Sequence, residues 1–539
     1  MNEEIAEYYE ELYRLYIDEN QPLERRYRQL RESLERVVRE RIQGNSLQTT
    51  DLAARINYVA TQYGLDIKEQ NQLHTFRLTS NDILNHRKFP AKEEFLRDLR
   101  AVAFAYRKMF AQDIPLKLFS VLPKQEITSL GKKEKKEYIR RIRVCFDYAD
   151  DTCLYVHPVD IIADEPIRVV YNKPGINHEF EETIKELWRY AQLNLLDVFV
   201  DREGIYTPSF IVLEPDYLID ISSLAECYKD YGSHPANYFL SRLVPIDNAR
   251  PLLLGNIANL FLDEWIHAGE EEPDYIDCMK KAFRQYPIEL AACAELRDPS
   301  KEKEFAKDCR MHFEHIRDIV QHTFLEPGYN LDKKDAVLEP SYICEALGIQ
   351  GRLDYMQRDM SSFIEMKSGK ADEFSIQGKV EPKENNKVQM LLYMAVLEYS
   401  MGQDRRRMHP YLLYTRYPLL YPARASWAQV RRVINLRNRI VAAEYGVQFH
   451  NHSDFTRNLL AQINPEVMNE RKLRGKFWEQ YLKPSISRFR EKLSALEPLE
   501  QAYFYTLYNF ITKELYTSKS GDVDYEGRAG ASALWLSTL

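Results

Sequence analysis

GRLDYMQRDMSSFIEMKSGK, residues 351–370, is the stretch on which the reading of this chain turns. Two short apolar runs, GRLDYM and FIEMKSG, flank a polar QRDMSS, which is the pattern of two strands joined by a turn. Each run carries an acid where a core residue would be cheaper to bury. Strand alternation puts Phe363, Glu365 and Lys367 on one face, with Ile364 and Met366 on the other. If the runs pair through QRDMSS, Asp354 lies near Glu365 and Lys367. Two carboxylates held together in apolar surroundings repel each other and lose hydration, so they call for a compensating cation. Magnesium or manganese, hard ions that take oxygen ligands, would satisfy both acids at once. A neighbouring lysine then supplies a positive charge for a phosphate oxygen or orients an attacking water. This is equipment for phosphodiester hydrolysis.

The next apolar segment, KVQMLLYMAVL, reads as a helix on which Gln389 and Tyr393 share a face four residues apart. An amide and a phenol embedded there need hydrogen-bond partners, and the lysine or a phosphate can provide them. An E-x-K pair alone is usually a solvated salt bridge. Asp354 before it and Gln389/Tyr393 after it, in that order, favour a site.

The remainder of the 539 residues sets the frame. That length exceeds one core and implies several domains. Apolar residues make up 45% and charged residues 29%, the balance of a folded globular protein. No apolar run is long enough to span a bilayer, and seven cysteines without a CxxC read as reduced core thiols, so a cytoplasmic protein is expected. The formal charge of −8 excludes a basic nucleic-acid coat but leaves room for a local basic groove. Basic clusters occur in KKEKKEYIRRIR (132–143), at 405–407 and in RRVINLRNR (431–439), and each by itself is ordinarily a solvated face.

Along the chain, residues 1–120 read as a helical region and 121–245 as a β-rich α+β module interrupted by a helix, EETIKELWRYAQLNLL. Residues 246–450 alternate helices and strands, which implies a mixed sheet flanked by helices. A basic helix at 427–445 is expected to contact phosphates. Residues 451–539 read as a helical region and linker, ending in the Gly- and Ser-rich SKSGDVDYEGRAGASALWLSTL. There is no GxxxxGK[ST], hence no P-loop in this sequence.

The order D, E-x-K-x-G, Q-x-x-x-Y resembles the RecB-like branch of the PD-(D/E)XK nucleases. EPSYICEALGIQGRLD with EMKSGK resembles the nuclease half of the replication and repair nuclease–helicases, as do EPDYLIDISSLAECY (214–228), LRNRIV and the terminal ASALWLSTL. The resemblance covers roughly residues 210–539, with the sharp motifs in 255–393. It implies an α+β restriction-endonuclease-like core and a magnesium- or manganese-dependent deoxyribonuclease acting on single-stranded DNA ends or flaps. Asp354, Glu365 and the Met366 carbonyl would be metal ligands, Lys367 the catalytic lysine, and Gln389 and Tyr393 the auxiliary motif. Partners would be single-stranded DNA, a fused or separate helicase and a single-strand-binding protein, without a membrane.

Two departures from that family stand out. Its upstream helix carries G-x-x-x-H with a ligating His, whereas GNIAN here places Asn259 at that position, with Asp263 and His267 one and two turns on. Many relatives also hold an iron–sulfur cluster using cysteines after the core. The last cysteine here, Cys344, precedes the motif, so no such cluster is expected. Glu339 reads as a structural acid within reach of the metal, and His234, His312 and His315 as surface or core residues. The competing reading is a catalytically degenerate module that grips DNA or a helicase, or a nuclease of the same fold acting on RNA or duplex DNA.

Overall fold

The computed structural model describes residues 3–42, 51–124, 137–163, 165–244, 250–329, 331–374, 379–423, 426–450 and 453–520. The terminal ASALWLSTL and the lysine-rich start of 132–143 lie outside them. The class is mixed α+β. The chain forms two compact units, one of Met1–Tyr217, Asn438–Arg457 and Ala502–Leu539, the other of Leu218–Arg437 and Asn458–Gln501. Among the described residues no helix is long and apolar enough to cross a membrane.

In the first unit, helices Glu3–Ile17, Leu23–Ile42, Leu52–Tyr63, Ile67–Leu84 and Lys92–Phe110 build a bundle. LERRYRQLRESLERVVRERI sets Tyr27, Leu30, Leu34, Val37 and Val38 on one helical stripe, and all five are fully buried. The starts of these helices are encoded locally. Asp51 accepts from the Ala53 N–H, and Asp66 forms a capping box with Glu69. The β-rich module contains β1 (Tyr138–Ala149), β2 (Cys153–Pro158), β3 (Ile167–Val170), β4 (Gln192–Val200), β5 (Tyr206–Thr207) and β6 (Phe210–Leu213). Their order is β1-β2-β3-β5-β4-β6, and β1 also pairs with β4, so the sheet closes on itself. β5 and β6 are one edge broken at Pro208–Ser209, because both pair with β4 in a single register. With β3 parallel to β5, this is a small Greek-key barrel of the OB kind.

The expected helix 181–196 does not form as such. A short helix, Glu181–Lys185, stops early, and QLNLLDVFV becomes β4, paired on both edges. A continuous apolar run suits a buried strand as well as a buried helix, and here the barrel needed the strand.

In the second unit the strands are β7 (Ile219–Asp220), β8 (Ala336–Leu338), β9 (Ser341–Cys344), β10 (Ile349–Arg352), β11 (Tyr355–Gln357), β12 (Ser362–Lys367), β13 (Asp372–Phe374), β14 (Lys379–Glu381), β15 (His409–Tyr414) and β16 (Leu419–Pro422). The main sheet runs β16-β15-β12-β11-β8 and is mixed, β12 and β15 being parallel and the other pairs antiparallel. Parallel neighbours need a crossover, and helix Glu384–Met401 lies within that connection. Helices Arg250–His267 and Pro299–Gln321 supply Leu254, Ile257, Phe261, Phe313 and Ile316 to a core shared with Tyr355, Ile364 and Met366.

PDYIDCMKKAFRQYPIELAACAEL (273–296) forms two helices, Tyr275–Gln285 and Pro287–Ala292, divided at Pro287. PYLLYTRYPLLY (410–421) is a hairpin, β15–β16. The basic helix is Trp427–Phe449, but Arg431 and Arg437 are buried, so it presents no continuous cationic stripe. Its charge was readable from sequence. Its burial was not.

Candidate active site

The site is made by a bend. Strands β8–β9 and β10–β11 keep one antiparallel register throughout, Leu338 opposite Tyr355 and Ser341 opposite Arg352. Between those pairs the ladder leaves one sheet and enters another. Glu339–Pro340 stands opposite Leu353–Asp354 there, closed by Glu339 N–H to Asp354 O and Leu353 N–H to Pro340 O, both 3.0 Å. Pro340 has no N–H to continue the ladder, and Glu339 takes a positive φ of 48°. Asp354 therefore sits at the corner of the hairpin rather than inside a strand, which corrects the sequence expectation for GRLDYM.

From the corner the chain turns back through QRDMSS as expected. Tyr355 pairs with Ile364 and Met356 with Phe363, which sets Asp354 opposite Glu365. The Met366 N–H donates to Asp354 Oδ2 at 2.6 Å. Ile364 and Met366 face the apolar core, while Glu365 and Lys367 face helix Glu384–Met401, the division that strand alternation predicts. Lys367 Nζ donates to Glu365 Oε1 at 2.8 Å and to Gln389 Oε1 at 2.9 Å. Gln389 Nε2 donates to the same Glu365 oxygen at 2.6 Å. Tyr393, one turn on, donates to the Arg352 carbonyl at 2.5 Å and so braces the bend. Gly351 makes this approach possible, since a Cβ there would lie 3.1 Å from the Tyr393 hydroxyl.

Glu365 is 3% exposed, and its second oxygen, Oε2, is buried without a hydrogen-bond partner. Burial, then the Asp354 charge, pushes its carboxyl up to about 8, against the pull of Lys367. Burial also raises Asp354, opposed by the Met366 N–H and Lys367. For Lys367, burial alone would lower the ammonium pKa, but Glu365, Asp354 and Glu226 outweigh it and hold the value up.

Helix Arg250–His267 passes alongside. A Cβ on Gly255 would lie 3.4 Å from Ser368 Oγ, just beyond β12. Two turns on, Asp263 is raised to about 6 by burial and by the charges of Glu339 and Asp354. Asn259 falls on the same helical stripe between them and is half-buried. His267 is exposed and its Nδ1 meets the Asp263 carbonyl. Glu339 accepts from Arg352 at 3.1 Å. Among the described residues, no three His, Cys, Asp or Glu side chains converge closely enough to hold one ion between them. What the fold brings together is one facing pair of carboxylates with an orphaned oxygen, beside a third acid on the helix. That donor set suits a hard cation which keeps several waters.

The other candidates fall elsewhere. His234 accepts from the Ala236 N–H, His315 meets the Thr415 carbonyl, and His312 is buried, with burial lowering its pKa to about 4. Met366, by contrast, is at the site, its N–H on Asp354, while its strand also pairs it with Leu413. Six of the seven cysteines are buried and all are free thiols. Glu226 was not singled out from the sequence. It bonds Asn385, and its charge acts on Lys367. No local signal marks it, because the proximity arises only when segment 218–228 packs against the motif helix. No protein-family model matches this chain, and no curated protein matches it significantly.

Proposed function

We propose that this protein is a metal-dependent nuclease of the RecB-like PD-(D/E)XK kind, hydrolysing phosphodiester bonds in single-stranded DNA ends or flaps. The observation that carries this reading is the facing of Asp354 and Glu365, with Lys367 held between Glu365 and Gln389 and one buried Glu365 oxygen unpaired. Asp354 and Glu365 would hold magnesium or manganese, with Asp263 or Asn259 on the adjacent helix and the Met366 carbonyl as further donors. When bound, the ion supplies charge neutralisation and lowers the pKa of a coordinated water. Lys367 directs its ammonium at a phosphate oxygen where charge develops. Gln389 fixes that ammonium, and Tyr393 keeps the corner rigid so that both carboxylates stay in register. An OB-type barrel in the same chain supports a single-stranded substrate, since such barrels commonly take single strands. A helicase, fused or separate, and a single-strand-binding protein are the partners this reading proposes, in replication, repair or defence.

The test is cleavage of end-labelled single-stranded DNA with magnesium or manganese. Asp354→Ala and Lys367→Ala should each lower the rate by about 100-fold or more. Variants that cut as fast as wild type would refute the assignment. Asn259, where the family has a histidine ligand, favours the second reading, a degenerate module that only grips DNA or a partner. Calorimetry separates the two, because that module takes up no manganese and cuts nothing.

A further inference from the structure

Residues 470–494, ERKLRGKFWEQYLKPSISRFREKLS, hold eight Lys or Arg against three Glu in a chain of formal charge −8. They belong to the second unit, as does the candidate active site. The segment is a loop followed by a helix whose first part, Trp478–Leu482, is a π-turn leading into Lys483–Ser494. Pro484 explains the widening. It has no N–H to return to the Gln480 carbonyl, so the helix opens by one residue.

The widened turn sorts its aromatics. Trp478 points inward and packs edge-on against Tyr231, with ring centroids 5.9 Å apart. Phe477 and Tyr481, one turn apart, point outward at 57% and 65% exposure. Their centroids are 5.9 Å apart and the planes are tilted by 35°. Beside them is a cleft of about 330 Å³ lined by Lys472, Arg474, Trp478 and Lys483, with Asn469 and Glu466 on its wall. Lys483 pairs with Glu479, but Lys472, Arg474 and Lys476 are exposed and make no ion pair among the described residues.

We propose that Phe477 and Tyr481, with Lys476 next to Phe477 in the chain and Lys472 and Arg474 on the neighbouring cleft, form a stacking platform for a single strand of nucleic acid. Two outward ring faces among unpaired cations match a ligand that alternates flat bases with phosphates. A duplex hides its base faces and matches only the cations. The same segment touches the motif helix upstream of the rings. Arg471 pairs with Glu384 in the first turn of Glu384–Met401, and the next residue, Asn385, bonds Glu226, whose charge acts on Lys367. The segment that carries the rings is thus tied at Arg471 to the first turn of the helix that carries Gln389 and Tyr393. The platform is a binding site in its own right and does not depend on the hairpin being catalytic.

The test is fluorescence anisotropy of the full chain with a labelled oligothymidylate, in EDTA so that no cleavage can occur. Phe477→Ala/Tyr481→Ala should weaken binding about tenfold or more, while Phe477→Trp/Tyr481→Phe restores it. Lys472→Ala/Arg474→Ala/Lys476→Ala should flatten the dependence of log K on log salt by about 0.7 per cation removed. Both rings are exposed, so thermal unfolding should be unchanged, which separates lost stacking from lost folding. Unchanged affinity in the double alanine variant overturns the platform. So does wild-type protein that ignores oligothymidylate at low salt, or equal competition by blunt duplex, and the rings would then be a protein-docking face. Loss of binding in the alanine variant supports the platform even if the wild-type chain cleaves nothing.

Discussion

Helix Trp427–Phe449 and the hairpin Tyr355–Lys367 both take polar and charged side chains into apolar surroundings, and they resolve the cost in opposite ways. On the helix, three of the buried groups, Arg437, Asn438 and Glu444, have named partners, while Gln448 Oε1 has none. Arg437 donates to the Gly348 carbonyl at 3.2 Å, in space that only a glycine leaves open, since a Cβ there would collide with the guanidinium. Asn438 accepts from the Leu213 N–H at 3.0 Å and donates to the Ile211 carbonyl at 2.7 Å. Glu444 accepts from Tyr217 at 3.2 Å. The hairpin instead crowds Lys367 and Gln389 onto one Glu365 oxygen and leaves the other with nothing. What sets the orphaned Glu365 oxygen apart is that it belongs to a carboxylate facing a second one, Asp354, where a cation can bind. On the basic helix expected to contact phosphates, Arg437 and Asn438 are taken up in packing.

The difference can be broken most sharply at Glu365. Glu365→Gln keeps the shape and removes the charge, so cleavage should fall by about 1,000-fold while the melting temperature holds or rises. A variant that melts lower and still cuts would make Glu365 a scaffold residue. Arg437→Ala should do the reverse. It leaves a cavity and orphaned acceptors, and should cost about 3 kcal/mol in denaturant unfolding while the folded fraction still cleaves.

The next effect is on pH. A carboxyl held up to about 8 in the fold, against an ordinary 4.5, favours its protonated form there. The folded chain then binds the extra proton, so the stabilisation is present below about 4.5 and is lost as pH rises through about 8. The metal-free melting temperature should decline across that window. Manganese should reverse the decline, and Glu365→Gln should flatten it. A metal-free profile that rises with pH would contradict the pairing of Glu365 with Asp354. Smallest is Tyr393→Phe, which removes one hydrogen bond to the Arg352 carbonyl. It should cost about 1 kcal/mol of stability and about tenfold in cleavage, and an unchanged rate would make the brace structural only.

Part of this was legible because it is local. The two-residue period of FIEMKSG separates Glu365 and Lys367 from Ile364 and Met366 whatever lies around them. The four-residue spacing of Gln389 and Tyr393 likewise places both on one side of a helix. QLNLLDVFV was not legible. Its unbroken apolar run carries no period, and β1, which pairs along most of it, is separated from it in the chain by β2 and β3. The corner at Asp354 was hidden for the same reason, since Pro340, which interrupts the ladder, lies on the opposite strand.

The amino-acid order by itself determined which side chains could share a face and which helices would start where, through Asp51, Asp66 and the stripe from Tyr27 to Val38. Only the tertiary structure decided which charges would find partners. A hydrogen bond between residues far apart in the chain depends on packing geometry, and no local periodicity encodes it. Arg437 and Glu365 look alike as isolated letters in apolar segments. Folding gave the first a fixed acceptor and left an oxygen of the second without a donor.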